Sequence, residues 1–211
     1  MNKILIISLF IITISLIQAP ASFAWNVNTH YEIAENNYNA MPDDVRQKLS
    51  LEDMLDGADD PDVKFFDFSN HSYPNSLKRA DYWLNEGKKH YGMGDYKYAS
   101  YCFGVASHYV SDTFSAPHCI KNGKGLNHVI YELQGSLISP KVTIYAANEY
   151  SGGNMPAYLN SNMYNGSLNG QNSWKNWINN RDSSYVQNDL NKASGASYNA
   201  INGVIIESNF S

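Results

Sequence analysis

The sequence lacks the short motifs of several common enzyme classes. It contains no G-x-S-x-G elbow, no phosphate-binding P-loop and no G-x-G-x-x-G dinucleotide fingerprint, and it shows no internal repeat. It is also poor in positive charge, with 15 Lys and Arg against 20 Asp and Glu and a net charge of −5. Such a balance argues against broad electrostatic affinity for nucleic acid. If the protein binds phosphate groups at all, bound metal ions rather than basic side chains would have to supply most of the positive charge.

The first 24 residues have the pattern of an export signal. Lys3 makes the start positive, residues 4–17 form a 14-residue apolar stretch, and Ser22 and Ala24 place small residues at the −3 and −1 positions of a cleavage site. The stretch is short for a membrane span, so a retained anchor is the less favoured alternative. Cleavage would leave a secreted domain over 25–211, with 187 residues and a net charge of −6 because Lys3 is the only charged residue removed.

Cysteine is scarce as well. Cys102 and Cys119 are the only thiols in the chain. In an exported protein they could form one disulfide, and two buried free cysteines are the alternative.

Histidines and carboxylates provide the one strong chemical pattern. Five of the six histidines fall in this array: His30, His71, then His108-x3-Asp112-x5-His118-x9-His128-x3-Glu132. Residues four apart share a helix face. His108 with Asp112, and His128 with Glu132, can therefore each present an imidazole and a carboxylate to one point. Zinc takes this mix of ligands, and a cation would offset the desolvation of so many polar groups. The array predicts a multi-zinc site, to which the α-amine of Trp25 would add a ligand after cleavage.

The hydrophobic pattern is helical along most of the chain and predicts an all-α, single-domain helical bundle with a zinc cleft. Thr29 is expected to cap a first helix, and Pro42 to start a second that the run over 57–62 breaks. Further helices are predicted over 76–91, 95–114, 174–178 and 184–206, with a long irregular loop over 151–173.

The run HYVSDTFSAPH at 108–118 resembles the signature of the zinc-dependent phospholipase C family, which shares a trinuclear zinc site with the fungal-type single-strand nucleases. The similarity extends over most of residues 25 to about 135. It implies three zinc ions and nine ligands: Trp25, His30, Asp62, His71, His108, Asp112, His118, His128 and Glu132. Asp62 enters through the likeness of GADDPD at 57–62 to a G-x-x-x-P-D form, and Asp59 and Asp60 are alternatives to it.

The resemblance also implies how these ligands are shared. Asp62, His71, His108 and Asp112 would hold one ion. His118, His128 and Glu132 would hold a second, and Trp25 with His30 a third, with Asp112 as the bridge. Asp62 would also steer or deprotonate the attacking water.

Two enzymatic activities are consistent with the resemblance. A phospholipase C would hydrolyse the glycerol–phosphate bond of phospholipids with zinc-activated water, and a single-strand nuclease is the alternative. The final H-x3-E and the short interval from His118 to His128 favour the phospholipase, whereas the five-residue step from Trp25 to His30 favours the nuclease. We expect a monomer that binds phospholipid and touches membrane surfaces transiently, with nucleic acid as partner only under the nuclease alternative.

Phe66 and Phe68 are the predicted substrate contacts, because they lie in sequence between Asp62 and His71. Aromatic faces attract quaternary ammonium groups but also stack on nucleobases, and ordinary core packing is the alternative for both residues. A third hypothesis is a zinc-stabilised, non-catalytic binding protein of the envelope. Nine ligands for three ions leave open coordination positions, which favours a catalytic site over a structural one.

Overall fold

The computed structural model describes residues 25–121, 123, 125–142, 150 and 153–208. These residues form helices and no strands, which confirms the predicted all-α class. The predicted export signal lies outside the described residues. Within those ranges, no helix combines the length and the apolar character that crossing a bilayer requires.

Eight α-helices and one short 3₁₀ helix succeed one another along the described ranges. They are α1 (Val27–Ala40), α2 (Asp43–Arg46), α3 (Leu51–Val63), α4 (Asn75–Gly92), α5 (Tyr96–Asp112), the 3₁₀ helix Ala116–Cys119, α6 (Leu126–Gly135), α7 (Met155–Asn180) and α8 (Ser183–Ser208).

Helix α5 is the centre of the bundle. Asp95 caps its start, because the Asp95 carboxylate accepts a hydrogen bond from the Tyr98 amide, and every residue from Cys102 to Asp112 is buried. Helices α3, α4 and α8 pack around it, with α1 completing the shell. The prediction of a helix over 95–114 that is buried nearly all round is confirmed.

Two glycines allow α3 and α5 to pack backbone against backbone. A Cβ atom at Gly57 would lie 2.1 Å from the carbonyl oxygen of Tyr101, and one at Gly104 would lie 2.0 Å from that of Met54. No side chain fits at either position. The close approach brings the C-terminal end of α3, with Asp62, beside the end of α5 that carries the metal-ligand motif.

Three details of the first helices differ from the prediction. The cap of α1 is Asn26, whose side chain accepts a hydrogen bond from the Thr29 amide at 3.0 Å, so Thr29 itself is not the cap. The predicted second helix is two helices, because Ser50 caps a new one. The run over 57–62 does not break it. Gly57 serves the close packing on α5, and Pro61 is accommodated inside α3.

The predicted loop over 151–173 was also wrong where the chain is described. Helix α7 starts at Met155, capped by the Asn154 side chain, and absorbs the short helix predicted over 174–178. Its glycines do not form turns, because Gly166 packs on the ring of Phe114 and Gly170 on Cys119. The helices predicted over 76–91 and 184–206 are confirmed as α4 and α8.

The disulfide does not form. Cys102 and Cys119 are both free, and Cys102 is buried in α5. The thiol of Cys119 donates instead to the carbonyl of Thr113 at 3.2 Å. Both cysteines are free, as in the alternative of two buried free cysteines, but only Cys102 is buried and Cys119 is partly exposed.

Candidate metal centre

Asp112 lies at the centre of a fully buried cluster of imidazoles. Its carboxylate oxygens are 2.8 Å from Nδ1 of His71, 3.1 Å from Nε2 of His108 and 3.3 Å from Nε2 of His30. The rings of His30 and His108 stack with their centroids 3.8 Å apart. Three histidines from α1, the α3–α4 loop and α5 therefore converge on one carboxylate.

Asp62 completes this group from the last turn of α3. Its Oδ1 lies 3.6 Å from Nδ1 of His71 and 3.9 Å from Nε2 of His108. The two alternative aspartates face elsewhere. Asp59 accepts a hydrogen bond from Tyr31 at 2.6 Å, and Asp60 accepts one from Tyr101 at 2.7 Å and pairs with Lys64. Of the three aspartates, only Asp62 is in the histidine cluster.

A second group lies beside the first. Potential ligand atoms of His118, His128 and Glu132 all lie within 4.8 Å of one another. The 3₁₀ helix supplies His118, and α6 supplies the other two from one face. The ring centroid of His118 is 6.3 Å from that of His71, so the two groups adjoin.

Buried polar atoms without hydrogen bonds indicate what the first group can hold. Both carboxylate oxygens of Asp62 and of Asp112 are buried with no hydrogen-bond partner, as are Nε2 of His30 and Nε2 of His71. Leaving such groups unsatisfied in an apolar interior is costly. Cations among the carboxylates would satisfy their oxygens and Nε2 of His30, and the nitrogen that His71 turns toward them is Nδ1.

The histidine tautomers support the same conclusion. Nδ1 of His108 lies 2.7 Å from the carbonyl oxygen of Ala58, and Nδ1 of His128 lies 2.8 Å from that of Gly123. A carbonyl oxygen can only accept, so both Nδ1 atoms carry a proton and donate it. In the neutral rings, each Nε2 lone pair then faces a carboxylate, Asp112 or Glu132. Opposed lone pairs require a proton or a metal between them, and metal-bound histidines typically donate their other N–H to a carbonyl in this way.

The pKa values of the cluster are pushed in opposite directions. Burial would lower the pKa of His108, but Asp112 and Asp62 outweigh it and raise the value to about 9. Burial, together with the charge of His108, lowers the pKa of His30 to about 4. Burial raises the pKa of Asp62 to about 6 and that of Glu132 to about 8. Metal and protons therefore compete for the same atoms.

Trp25 lies against this cluster. Its side chain is fully buried, its indole N–H donates to the carbonyl of Ser111 at 3.1 Å, and its ring packs on Tyr131 and Gly135 of α6. The Ser111 hydroxyl is itself 3.4 Å from Nδ1 of His30. The indole thus anchors this end of the chain between α5 and α6.

The two predicted substrate contacts occupy different environments. Phe66 is 66% exposed with φ of 50°, and Phe68 is partly buried with its ring centroid 6.1 Å from that of His71. The two phenylalanine rings are 6.3 Å apart. Core packing therefore does not account for Phe66.

Sequence reasoning missed a supporting network beneath this loop. The carboxylate of Asp67 accepts from the Tyr109 hydroxyl at 2.8 Å and from Arg79 at 2.6 and 2.7 Å. The ring of Tyr109 packs edge-on against His71. Asp67 thereby ties the loop that carries His71 to α4 and α5. The spacing of these residues carries no recognisable signal, because the contacts form only in the folded chain.

His90, the remaining histidine, is remote from both groups. It is partly exposed and lies 2.9 Å from the carboxylate of Asp95. It takes no part in the described clusters.

Comparisons with known proteins identify the family and the fold of this chain. The family model described as zinc-dependent phospholipase C matches residues 29–191. The solved structure of the alpha toxin from Clostridium absonum aligns with a TM-score of 0.66 and 16% sequence identity, covering 83% of this chain and 63% of the toxin chain. This chain therefore spans less than two thirds of the toxin's length, and the likeness is one of fold. No curated protein matches the sequence.

Proposed function

Because the chain belongs to the zinc-dependent phospholipase C family, we propose that it hydrolyses the glycerol–phosphate bond of phospholipids as a zinc-dependent phosphodiesterase. The observation that carries the proposal is the pair of adjoining ligand groups around Asp112 and Glu132, in which buried carboxylates face buried imidazole nitrogens. A structural role for zinc fits less well, because three ions shared among nine protein ligands leave positions for water.

The proposed ligands divide along the observed groups. Asp62, His71, His108 and Asp112 would hold one ion, and His118, His128 and Glu132 a second. Trp25, through its amine, and His30 would hold a third, with Asp112 shared. When bound, zinc would supply Lewis-acid chemistry, lowering the pKa of a water molecule and balancing charge on phosphoryl oxygens.

The chain's own groups would complete the reaction. Asp62 has two carboxylate oxygens without hydrogen bonds, so one oxygen could hold zinc while the other accepts the proton of the attacking water. Nδ1 of His108 and Nδ1 of His128 each carry a proton and donate it in a hydrogen bond to a backbone carbonyl oxygen, which orients Nε2 toward the cluster. Phe66 and Phe68 would contact the substrate beside His71.

Export is part of the proposal. Removal of residues 1–24 would free the amine of Trp25 outside the cytoplasm, so that secretion and activation coincide. A substrate outside the cell and a signal of this pattern are mutually consistent.

The decisive experiment offers zinc-loaded protein starting at Trp25 several substrates in parallel. These are dispersed phosphatidylcholine, phosphatidylethanolamine and phosphatidylinositol, and single-stranded DNA and RNA. Release of diacylglycerol, abolished in the Asp62→Asn variant, is the expected result. Nucleotide release instead would identify a nuclease, and no turnover with zinc fully bound would identify a binding protein.

A further inference from the structure

The outer face of α6 is an exposed apolar stripe. Leu126, Val129, Leu133 and Leu137 are 74, 51, 57 and 79% exposed, and they recur at the three- and four-residue spacing of one helix face that continues just past the end of α6. No charged residue interrupts this stripe. The only charged side chain of α6, Glu132, faces the metal cluster with His128.

We propose that this α6 stripe, defined by these four side chains, docks the protein on a phospholipid membrane and presents the metal centre to the headgroups. The inference rests on the proposed function and assigns the surface through which its substrate is reached. Apolar side chains of an interfacial helix enter the boundary between headgroups and acyl chains, with polar residues on the other face.

Exposed positive charges flank the stripe along the sequence, which suits a membrane. Lys121 precedes α6 and Lys141 follows it, and both are exposed. The chain as a whole is acidic, with a net charge of −5. The two lysines beside the uncharged stripe therefore have the opposite sign to the net charge of the chain. Lysines beside an interfacial helix extend to lipid phosphates, and each contributes to binding of anionic surfaces.

The thickness of α6 also favours a membrane as the surface that covers the stripe. Interfacial helices bury their apolar face by about 5–10 Å, and a helix is about 10 Å across, so the opposite face remains at the level of the headgroups. That opposite face carries His128 and Glu132. A second copy of the chain is disfavoured, because a stable protein interface buries about 800 Å² per partner and four side chains cannot supply that much apolar surface.

The test compares three zinc-loaded proteins that start at Trp25. They are the wild type, the double variant Leu133→Ser with Leu137→Ser, and the control Met93→Ser. Met93 is 63% exposed and precedes α5, at the opposite end of that helix from Asp112. Its substitution therefore removes an apolar side chain about as exposed as those of Leu133 and Leu137, but outside the α6 stripe. Serine is chosen over aspartate because it adds no charge that would repel the lipid.

Two measurements are made on each protein. The first is sedimentation with vesicles of phosphatidylcholine and phosphatidylglycerol. The second is hydrolysis of those vesicles and of short-chain phosphatidylcholine below its micellar concentration. We expect the double variant to lose vesicle binding and vesicle hydrolysis by at least about tenfold, because burying one leucine side chain in the membrane raises the affinity by about that factor. All three proteins should hydrolyse the monomeric short-chain substrate at the same rate.

Each contrary outcome has a distinct meaning. Equal vesicle binding by the double variant and the wild type would overturn the docking surface, as would loss of short-chain hydrolysis in the double variant. A wild-type dimer that the double variant converts to a monomer would assign the α6 stripe to a second copy and overturn it too. If the wild type binds vesicles through α6 but hydrolyses neither lipid, the docking surface stands and the proposed function fails.

Discussion

Gly104→Ala tests whether the close approach of α3 and α5 sets the metal site. The added Cβ would lie 2.0 Å from the carbonyl oxygen of Met54, whereas ordinary contact begins at 3.4 Å, so the two backbones would have to separate by about 1.4 Å. Gly104 lies one turn before His108 on α5, so this separation acts directly on the site.

The consequence for the site follows from its distances. Asp62 Oδ1 and His108 Nε2 are 3.9 Å apart, close to the largest span that one zinc ion can bridge with bonds of about 2.0–2.2 Å. Adding about 1.4 Å would extend that span to as much as about 5.3 Å, beyond the reach of one ion. Overpacking of this kind also costs about 1–3 kcal/mol of unfolding free energy.

The assay measures bound zinc and the unfolding temperature in parallel. Gly104→Ala is expected to lose zinc and to unfold about 2–4 °C lower for each kcal/mol lost. The matched control is Gly92→Ala at the end of α4, where an added Cβ meets nothing within 4 Å. If Gly104→Ala matches that control in both zinc content and unfolding temperature, the close approach does not set the site.

Three further outcomes are expected. Asp112→Ala should remove zinc and activity while His90→Ala leaves both unchanged, because only Asp112 contacts three imidazoles; full zinc content in Asp112→Ala, measured by metal analysis, would refute its bridging role. A chain that starts at Ala24 should bind one zinc ion fewer than a chain that starts at Trp25 and turn over slowly, because an amide is a poor ligand at neutral pH, and equal stoichiometry and rates would show that the amine is not a ligand. Burial raises the pKa of Asp189 from 3.8 to about 7. The folded protein keeps this proton where the unfolded chain loses it, so the group's contribution to stability is complete below pH 3.8 and is lost as the pH rises toward 7. Asp189→Asn should therefore flatten the decline of unfolding free energy over that range in urea titrations, and an unchanged slope would contradict the assigned pKa.

The features that could be predicted from the sequence are those that arise within a single helix. The pairs His108 with Asp112 and His128 with Glu132 face one point because residues four apart share a helix face, whatever the rest of the chain does. The helical class and the burial of α5 follow from its apolar composition in the same way. These properties depend on neighbours within one helix, and the sequence displays those neighbours directly.

The misplaced elements were decided by packing between helices. Gly57 and Pro61 are typical of breaks, and the glycines and asparagines of α7 are typical of loops. In the folded chain Gly57 is required by the backbone of α5, and Gly166 and Gly170 by the side chains of Phe114 and Cys119. A glycine that permits close packing and one that permits a turn look the same in a sequence.

Only the tertiary structure selected Asp62 over Asp59 and Asp60. The three residues lie within one turn of α3, so all are near α5, but only Asp62 points at His71 and His108. Tyr31 and Tyr101, which come from other helices, hold the other two carboxylates away. The histidines and carboxylates of the candidate metal centre can thus be recognised from their pattern in the sequence. Which side chains meet is determined by how these segments pack. The proposed ligands come from α1, α3, the α3–α4 loop, α5, the 3₁₀ helix and α6, and they converge only after long-range contacts have fixed the angle and register of each helix.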